Sequence, residues 1–146
     1  MKLFLSGPFF NEEETSRLNK VKNALESLGY EVYSTSHANK RINLIDPEEK
    51  NRRFSLLCEE IKKSDAVFAI LDGRDPGTIW ETGYAFALSK PVIAFSEKDA
   101  YFSLMIDQSS TYLIGMDSID NNIEKFIKEK DINLTPKYFD SKKIDY

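Results

Sequence analysis

The run Ala66-Val67-Phe68-Ala69-Ile70-Leu71 is continuously apolar, with Asp65 before it and Asp72 after it. An alternating strand leaves one face in water, whereas an unbroken apolar run needs both faces covered. Such a run fits a central strand of a parallel sheet. It commits the chain to helices on both sides of that sheet, because parallel neighbours must be joined by crossovers.

The rest of the chain supplies those elements. Leu3 to Leu5 reads as a buried strand stopping at Ser6-Gly7-Pro8. Asn11 precedes Glu12, Glu13 and Glu14, a helix start, and Leu18, Val21, Leu25 and Leu28 follow at helical spacing up to Gly29. Tyr30 to Ser34 alternates like a strand, and Ser36 to Pro47 reads as a long polar loop. A second helix is expected over Pro47 to Lys63, and a third from near Thr78 to near Lys90-Pro91. Val92 to Phe95 and Tyr112 to Gly115 read as further strands, with Tyr101 to Ser109 ambiguous between strand and helix. A last helix is expected over about Ser118 to Lys130. The predicted fold is α/β: a parallel sheet of about five strands with helices on both faces, in a single domain over 1–146. Residues 131–146 are expected to be an irregular C-terminal tail.

Composition removes several functions. A chain of 146 residues leaves little room for a second domain. Cys58 is the only cysteine and His37 the only histidine, so no internal disulfide and no His-rich metal site can be built. Twenty basic against 24 acidic residues give a net charge of -4, which argues against a nucleic-acid backbone binder. No segment approaches the ~20 apolar residues that span a bilayer. Met1 to Leu5 is too short for a signal-peptide core, so the expected location is cytoplasmic. Carboxylates are the abundant chemical resource.

In open parallel sheets, ligands bind beyond the carboxyl ends of the strands. The segments on that edge are Ser6 to Phe10, Ser34 to Arg41, Asp72 to Glu81 and Ser96 to Ser103. Asp65 precedes its strand and belongs to the opposite edge as a turn residue. The densest stretch runs from Leu71 to Ala85 and carries Asp72, Asp75 and Glu81. It has two readings. Thr78-Ile79-Trp80-Glu81 has capping-box spacing, in which Glu81 folds back onto Thr78. Alternatively, Glu81 points into the ligand crevice, with Gly77 allowing close approach to the backbone. A second carboxylate nearby then suits attack on a glycosidic bond.

Ser6-Gly7-Pro8-Phe9-Phe10, Asp75-Pro76-Gly77-Thr78-Ile79-Trp80-Glu81-Thr82-Gly83-Tyr84-Ala85 and Lys90-Pro91-Val92 together resemble the nucleoside 2-deoxyribosyltransferase family. The resemblance runs from the first strand to about Met105. It implies a cytoplasmic, flavodoxin-like (Rossmann-like) enzyme of nucleotide salvage that assembles as a homo-oligomer. Such an enzyme cleaves a 2'-deoxynucleoside and passes deoxyribose to another base, without cofactor or metal. Its partners are then a small nucleoside or nucleotide and a free base, not nucleic acid or membrane. The family's nucleophilic glutamate matches Glu81, through which a covalent glycosyl-enzyme would form. Its sugar-binding aspartate matches Asp75. Gly7, Phe9 and Gly77 fall in the matched substrate-binding segments. Ser103-Leu104-Met105 matches a segment that reaches a neighbouring subunit's site, so Ser103 and Met105 join the substrate-binding set. Tyr146 matches a C-terminal tyrosine that enters the site in some members.

Three positions depart from the pattern. The first-strand tyrosine that hydrogen-bonds the nucleophile is replaced by Phe4. The base-contacting aspartate of the second helix falls on Leu57, with Cys58 or Glu59 reached by shifts of one or two residues. The asparagine that contacts the 5'-hydroxyl falls on Ser103. Without the usual acid, Asp72 and His37 are the proton-donor candidates on the correct edge. Phe9 and Phe10 could sandwich a base. Serines around a 5'-phosphate mark a related group, the 2'-deoxynucleoside 5'-phosphate N-hydrolases, which gives an alternative 5'-monophosphate N-glycosidase reading. Asp75 would repel that phosphate, although Arg74 next to it could offset the repulsion. A further alternative is a non-catalytic nucleoside- or nucleotide-binding module.

Overall fold

The computed structural model describes residues 1–38, 46–98, 101–115, 139–140 and 143–145. The expected helix over Ser118 to Lys130 and the position of Tyr146 lie outside these residues.

The strands are β1 (Lys2–Ser6), β2 (Glu31–Ser34), β3 (Ala66–Ile70), β4 (Val92–Ser96), β5 (Tyr101–Ser103), β6 (Tyr112–Gly115), β7 (Phe139–Asp140) and β8 (Lys143–Asp145). The helices are α1 (Glu12–Ser27), α2 (Thr35–Ala38), α3 (Pro47–Lys63), α4 (Pro76–Ala87) and α5 (Leu104–Ser109). The main sheet has the order β2-β1-β3-β4-β6-β7, and its paired strands all run parallel. The order reverses direction at β1 and β3. A crevice opens beyond their carboxyl ends, which is the geometry that positions ligands in flavodoxin-like sheets.

The apolar run at Ala66 lies where its pattern requires. All five residues of β3 are buried. Its side chains alternate between two cores. Ala66, Phe68 and Ile70 pack with Leu18, Val21 and Leu25 of α1 on one face. Val67 and Ala69 pack with Ile61 of α3, Ala85 of α4 and Ile106 of α5 on the other. Asp65 accepts from the Lys2 backbone N–H at 2.7 Å, and its own N–H donates to the Lys2 carbonyl, at the edge away from the crevice.

Helix boundaries follow capping chemistry. Asn11 accepts from the Glu14 N–H at the start of α1, and Gly29 takes φ +92 just beyond its end. Asp46 caps α3, with Pro47 at its first position. The third predicted helix starts earlier than expected, at Pro76, because Asp75 and not Thr78 is its N-cap.

Four further differences from the sequence reading stand out. The long polar loop begins with the single helical turn α2. The ambiguous stretch Tyr101 to Ser109 splits into β5 and α5, with Ser103 capping the helix. The main sheet has six strands, because β7 adds to β6. The tail from Asp131, expected to be irregular, contributes β7 and β8, and β8 pairs with β5. Strands of two or three residues are held by main-chain pairing and are too short to show side-chain alternation. Among the described residues, no helix is long and apolar enough to cross a membrane.

Candidate active site

Three chain segments meet at the carboxyl edge of β1, β2 and β3. Leu5, Ser6, Gly7 and Phe9 come from the end of β1. Ser34, Thr35 and Ser36 come from the end of β2. Asp75, Gly77, Thr78 and Glu81 come from the start of α4. These are three of the four segments predicted for that edge. The fourth, Ser96 to Ser103, is not part of this lining among the described residues.

Glu81 reaches the crevice because of the phase of α4. Thr78, Thr82 and Ala85 are buried on the stripe that faces the sheet, and Glu81 lies on the same side. With the helix beginning at Pro76, Glu81 is in its second turn. The capping-box reading is therefore overturned. Asp75 Oδ2 accepts from the Thr78 N–H at 2.8 Å and from its hydroxyl at 2.9 Å, which leaves Glu81 free of the cap. Glu81 Oε2 instead accepts a hydrogen bond from the Ser6 hydroxyl.

The electrostatics are unusual for a carboxylate. Burial pushes the Glu81 pKa up to about 7, the Ser6 hydrogen bond opposes that rise, and the charge of Asp75 adds to it. The described lining contains no lysine, arginine or histidine to neutralise either acid.

The other predicted residues divide sharply. Gly7, Phe9, Asp75 and Gly77 are brought together with Glu81. Gly77 sits so close to Asp75 that an added Cβ would lie 3.1 Å from its Oδ2. Asp72 is not in the crevice. It is buried behind it, accepting from the N–H groups of Glu97 and Lys98, each at 2.8 Å, with Arg17 Nε at 3.8 Å. The Asp72 oxygens are taken up by backbone donors and it lies outside the crevice lining, so the structure does not bring it to the proton-donor position expected of it.

His37 is also absent from the lining. Its Nε2 lies 2.6 Å from Asn19 Oδ1, which only accepts, so this nitrogen carries the proton. Its Nδ1 then accepts from the Ser34 and Ser36 hydroxyls at 2.9 and 3.1 Å. Burial and the nearby Lys22 lower its pKa, which favours the neutral ring. His37 thus braces α2 against α1, and of its hydrogen-bond partners Ser34 and Ser36 border the crevice.

Phe9 and Phe10 stack on each other with centroids 5.7 Å apart, so they do not sandwich a base, and Phe9 alone borders the crevice. Ser103 caps α5 by accepting from the Ile106 N–H at 3.3 Å, and Met105 is 76 % exposed. Neither lines this chain's own crevice. Among the residues at the missing aspartate, Leu57 packs against the core and Glu59 pairs with Lys62 at 2.7 Å. Cys58 lies within electrostatic reach of Glu81, and burial raises its thiol pKa. Among the described residues, no group of three His, Cys, Asp or Glu side chains could hold a metal ion.

Ser6 is the site residue that sequence reasoning missed. The available signal was strand parity. Phe4, which lacks the expected hydroxyl, points to the same side of β1 as the residue two positions on.

Sheet order and crevice together define a flavodoxin-like α/β fold with two carboxylates, Asp75 and Glu81, lining the crevice at its switch point. The model of the nucleoside 2-deoxyribosyltransferase family matches residues 3–116, and the chain belongs to that family. It is an enzyme acting on N-glycosidic bonds. Among solved structures it is similar to the 2-deoxyribosyltransferase of Bacillus psychrosaccharolyticus, at 30% identity and TM-score 0.78 over 92% of this chain and 96% of that one. Two more distant likenesses show the shared fold. The CMP N-glycosidase of Clostridium botulinum has 24% identity and TM-score 0.58, over 89% of this chain and 97% of that one. The 2-desoxiribosyltransferase of Leishmania mexicana has 22% identity and TM-score 0.52, over 73% and 69%. The comparison with curated proteins gives no match.

Proposed function

We propose that this enzyme transfers the deoxyribosyl group of a 2'-deoxynucleoside to another free base, with Glu81 as nucleophile. The observation that carries this reading is the orientation of Glu81: half-buried, turned away from the helix cap and into the crevice beside Asp75. Ionised Glu81 attacks the anomeric carbon. A C–O bond forms as the C–N bond breaks, and the base departs with the electron pair and takes up a proton. The incoming base displaces Glu81 in a second inversion, so configuration is retained. Asp75 holds the sugar, Gly77 admits it close to the backbone, Gly7 borders the crevice, and Phe9 offers a ring face to the base.

A homo-oligomer completes the site, with Ser103 and Met105 entering a neighbour's crevice. The exposure of Leu104 and Met105 supports this, as does an apolar surface on α3 and α4 where Phe54 and Trp80 are each about half exposed. The alternative substrate, a 5'-monophosphate, is disfavoured by charge: the described lining offers a phosphate two carboxylates and no cation.

The test is incubation with a deoxynucleoside and a different free base, then separately with a deoxynucleoside monophosphate, followed by chromatography. A new deoxynucleoside is expected from the first mixture. Free base and sugar phosphate from the second mixture alone would replace this reading with the hydrolase.

A further inference from the structure

We propose that Ser6 is the positioning residue for Glu81, fixing one carboxylate oxygen so that the other is presented for attack. This rests on the nucleophile role proposed above. The Ser6 hydroxyl donates to Glu81 Oε2, and Oε1 takes no hydrogen bond among the described residues. Oε1 is therefore the oxygen left to reach an anomeric carbon.

Ser6 is well placed for that task. It is the last residue of β1, is 2 % exposed, and is paired in register with Ala69 of β3. The chain beyond it runs close over the sheet, since a Cβ at Gly7 would lie 3.0 Å from Ile70 Cβ. The hydroxyl thus sits on a rigid strand end rather than on a loop, which is where a positioning group holds geometry best. Position 4 cannot serve instead. Phe4 points the same way but is fully buried and stacked on Tyr33 at 5.6 Å. A carboxylate in a helix's second turn, with no cation in the described lining, would otherwise be free to rotate among its rotamers.

The bond also favours the charged form, the one that attacks. It works against both burial and the Asp75 charge, which favour the protonated form. Removing the hydroxyl should therefore move Glu81's titration upward and loosen its geometry, while leaving substrate contacts made by Asp75 and Gly77 in place.

Ser6→Ala and Ser6→Thr are to be compared with wild type in two measurements. The first is the carboxyl carbon titration of Glu81 by NMR in substrate-free protein, which needs no activity. The second is the pH dependence of kcat and KM for base exchange. For Ser6→Ala the Glu81 titration should rise by about one pH unit. At pH 6.5, kcat should fall about tenfold, KM should change little, and part of the loss should return by pH 8.5. Ser6→Thr, which keeps the hydroxyl, should restore both. An unchanged titration in Ser6→Ala overturns the proposal. So does a loss in Ser6→Thr as large as in Ser6→Ala. If wild type shows no base exchange, the nucleophile reading fails, while the titration still decides whether Ser6 controls Glu81.

Discussion

Two acid clusters stand on the same edge of the sheet and are built in opposite ways. Behind the crevice, Asp72, Glu97 and Glu13 surround Arg17. The guanidinium meets Glu97 at 2.5 Å and Glu13 at 3.0 Å, and two backbone N–H groups complete Asp72. Inside the crevice, Asp75 and Glu81 share the lining with hydroxyl and N–H donors but no cation among its described residues. The first arrangement surrounds its carboxylates with a guanidinium and backbone donors, and it ties α1 to the β4 end. The second leaves a carboxylate with its pKa near 7 and an oxygen unoccupied. Neighbouring acids of one short stretch thus separate into an anchor and the proposed nucleophile by what neutralises them.

The largest test of this contrast is Glu81→Gln. Base exchange should fall by at least about a thousandfold, with circular dichroism unchanged. Full activity in this variant would remove the proposed mechanism. The same variant reports on stability with a definite sign. Glu81's pKa is raised from 4.5 to about 7 on folding, so the folded chain holds more protons than the unfolded chain between those values. Wild-type stability should therefore decline as pH rises from about 4.5 to 7 and be flat above, as far as this group contributes. The Tm of Glu81→Gln relative to wild type should increase across that window in thermal melts. A constant difference would mean that Glu81 is not strained in its site.

Asp72→Ala should do the reverse. It removes the acceptor for two N–H groups and part of the Arg17 neutralisation, for a loss on the order of 3 kcal/mol by denaturant unfolding. Below the unfolding range, kcat should stay within about threefold of wild type. A catalytic collapse without loss of stability would return Asp72 to the proton-donor role.

Asp75→Asn should be gentler on the fold, because asparagine also caps helices, and stability should change by about 0.5 kcal/mol or less. Removing the charge should lower the pH at which the acid limb of activity falls, since Asp75 helps raise Glu81. KM for the deoxynucleoside should increase. An acid limb that does not move would show that the two carboxylates are not coupled.

The smallest effect is expected for His37→Ala. With both ring nitrogens engaged by Asn19, Ser34 and Ser36, the change should alter kcat by less than about threefold, and it should destabilise by about 1 kcal/mol through lost hydrogen bonds. A bell-shaped pH profile losing its basic limb in this variant would instead make His37 the missing acid.

Much of the architecture could be read from local pattern. The continuous apolar run at β3 required burial on both faces. Asn11 and Pro47 marked helix starts because capping depends only on neighbouring backbone groups, while the Asp46 cap was recognised only in the structure. The strands β7 and β8 were not legible, because main-chain pairing leaves no trace in two or three side chains. The site was half legible. The motif around Glu81 named the acid and its partner Asp75, and the edge rule located the crevice. The helix start at α4 was misread because two capping patterns overlap there, and only three-dimensional geometry separates an Asp75 cap from a Thr78 cap.

By itself, the sequence determined a parallel α/β sheet, the edge on which ligands are expected, and a family resemblance that singles out Glu81 as the expected nucleophile. Tertiary structure alone decided which acids are neutralised. Asp72 and Glu81 are close in sequence, but Arg17 and Ser6 come from elements far along the chain. Long-range packing sets the charge and hydrogen bonding around each carboxylate, and these set whether it anchors the fold or is left to react.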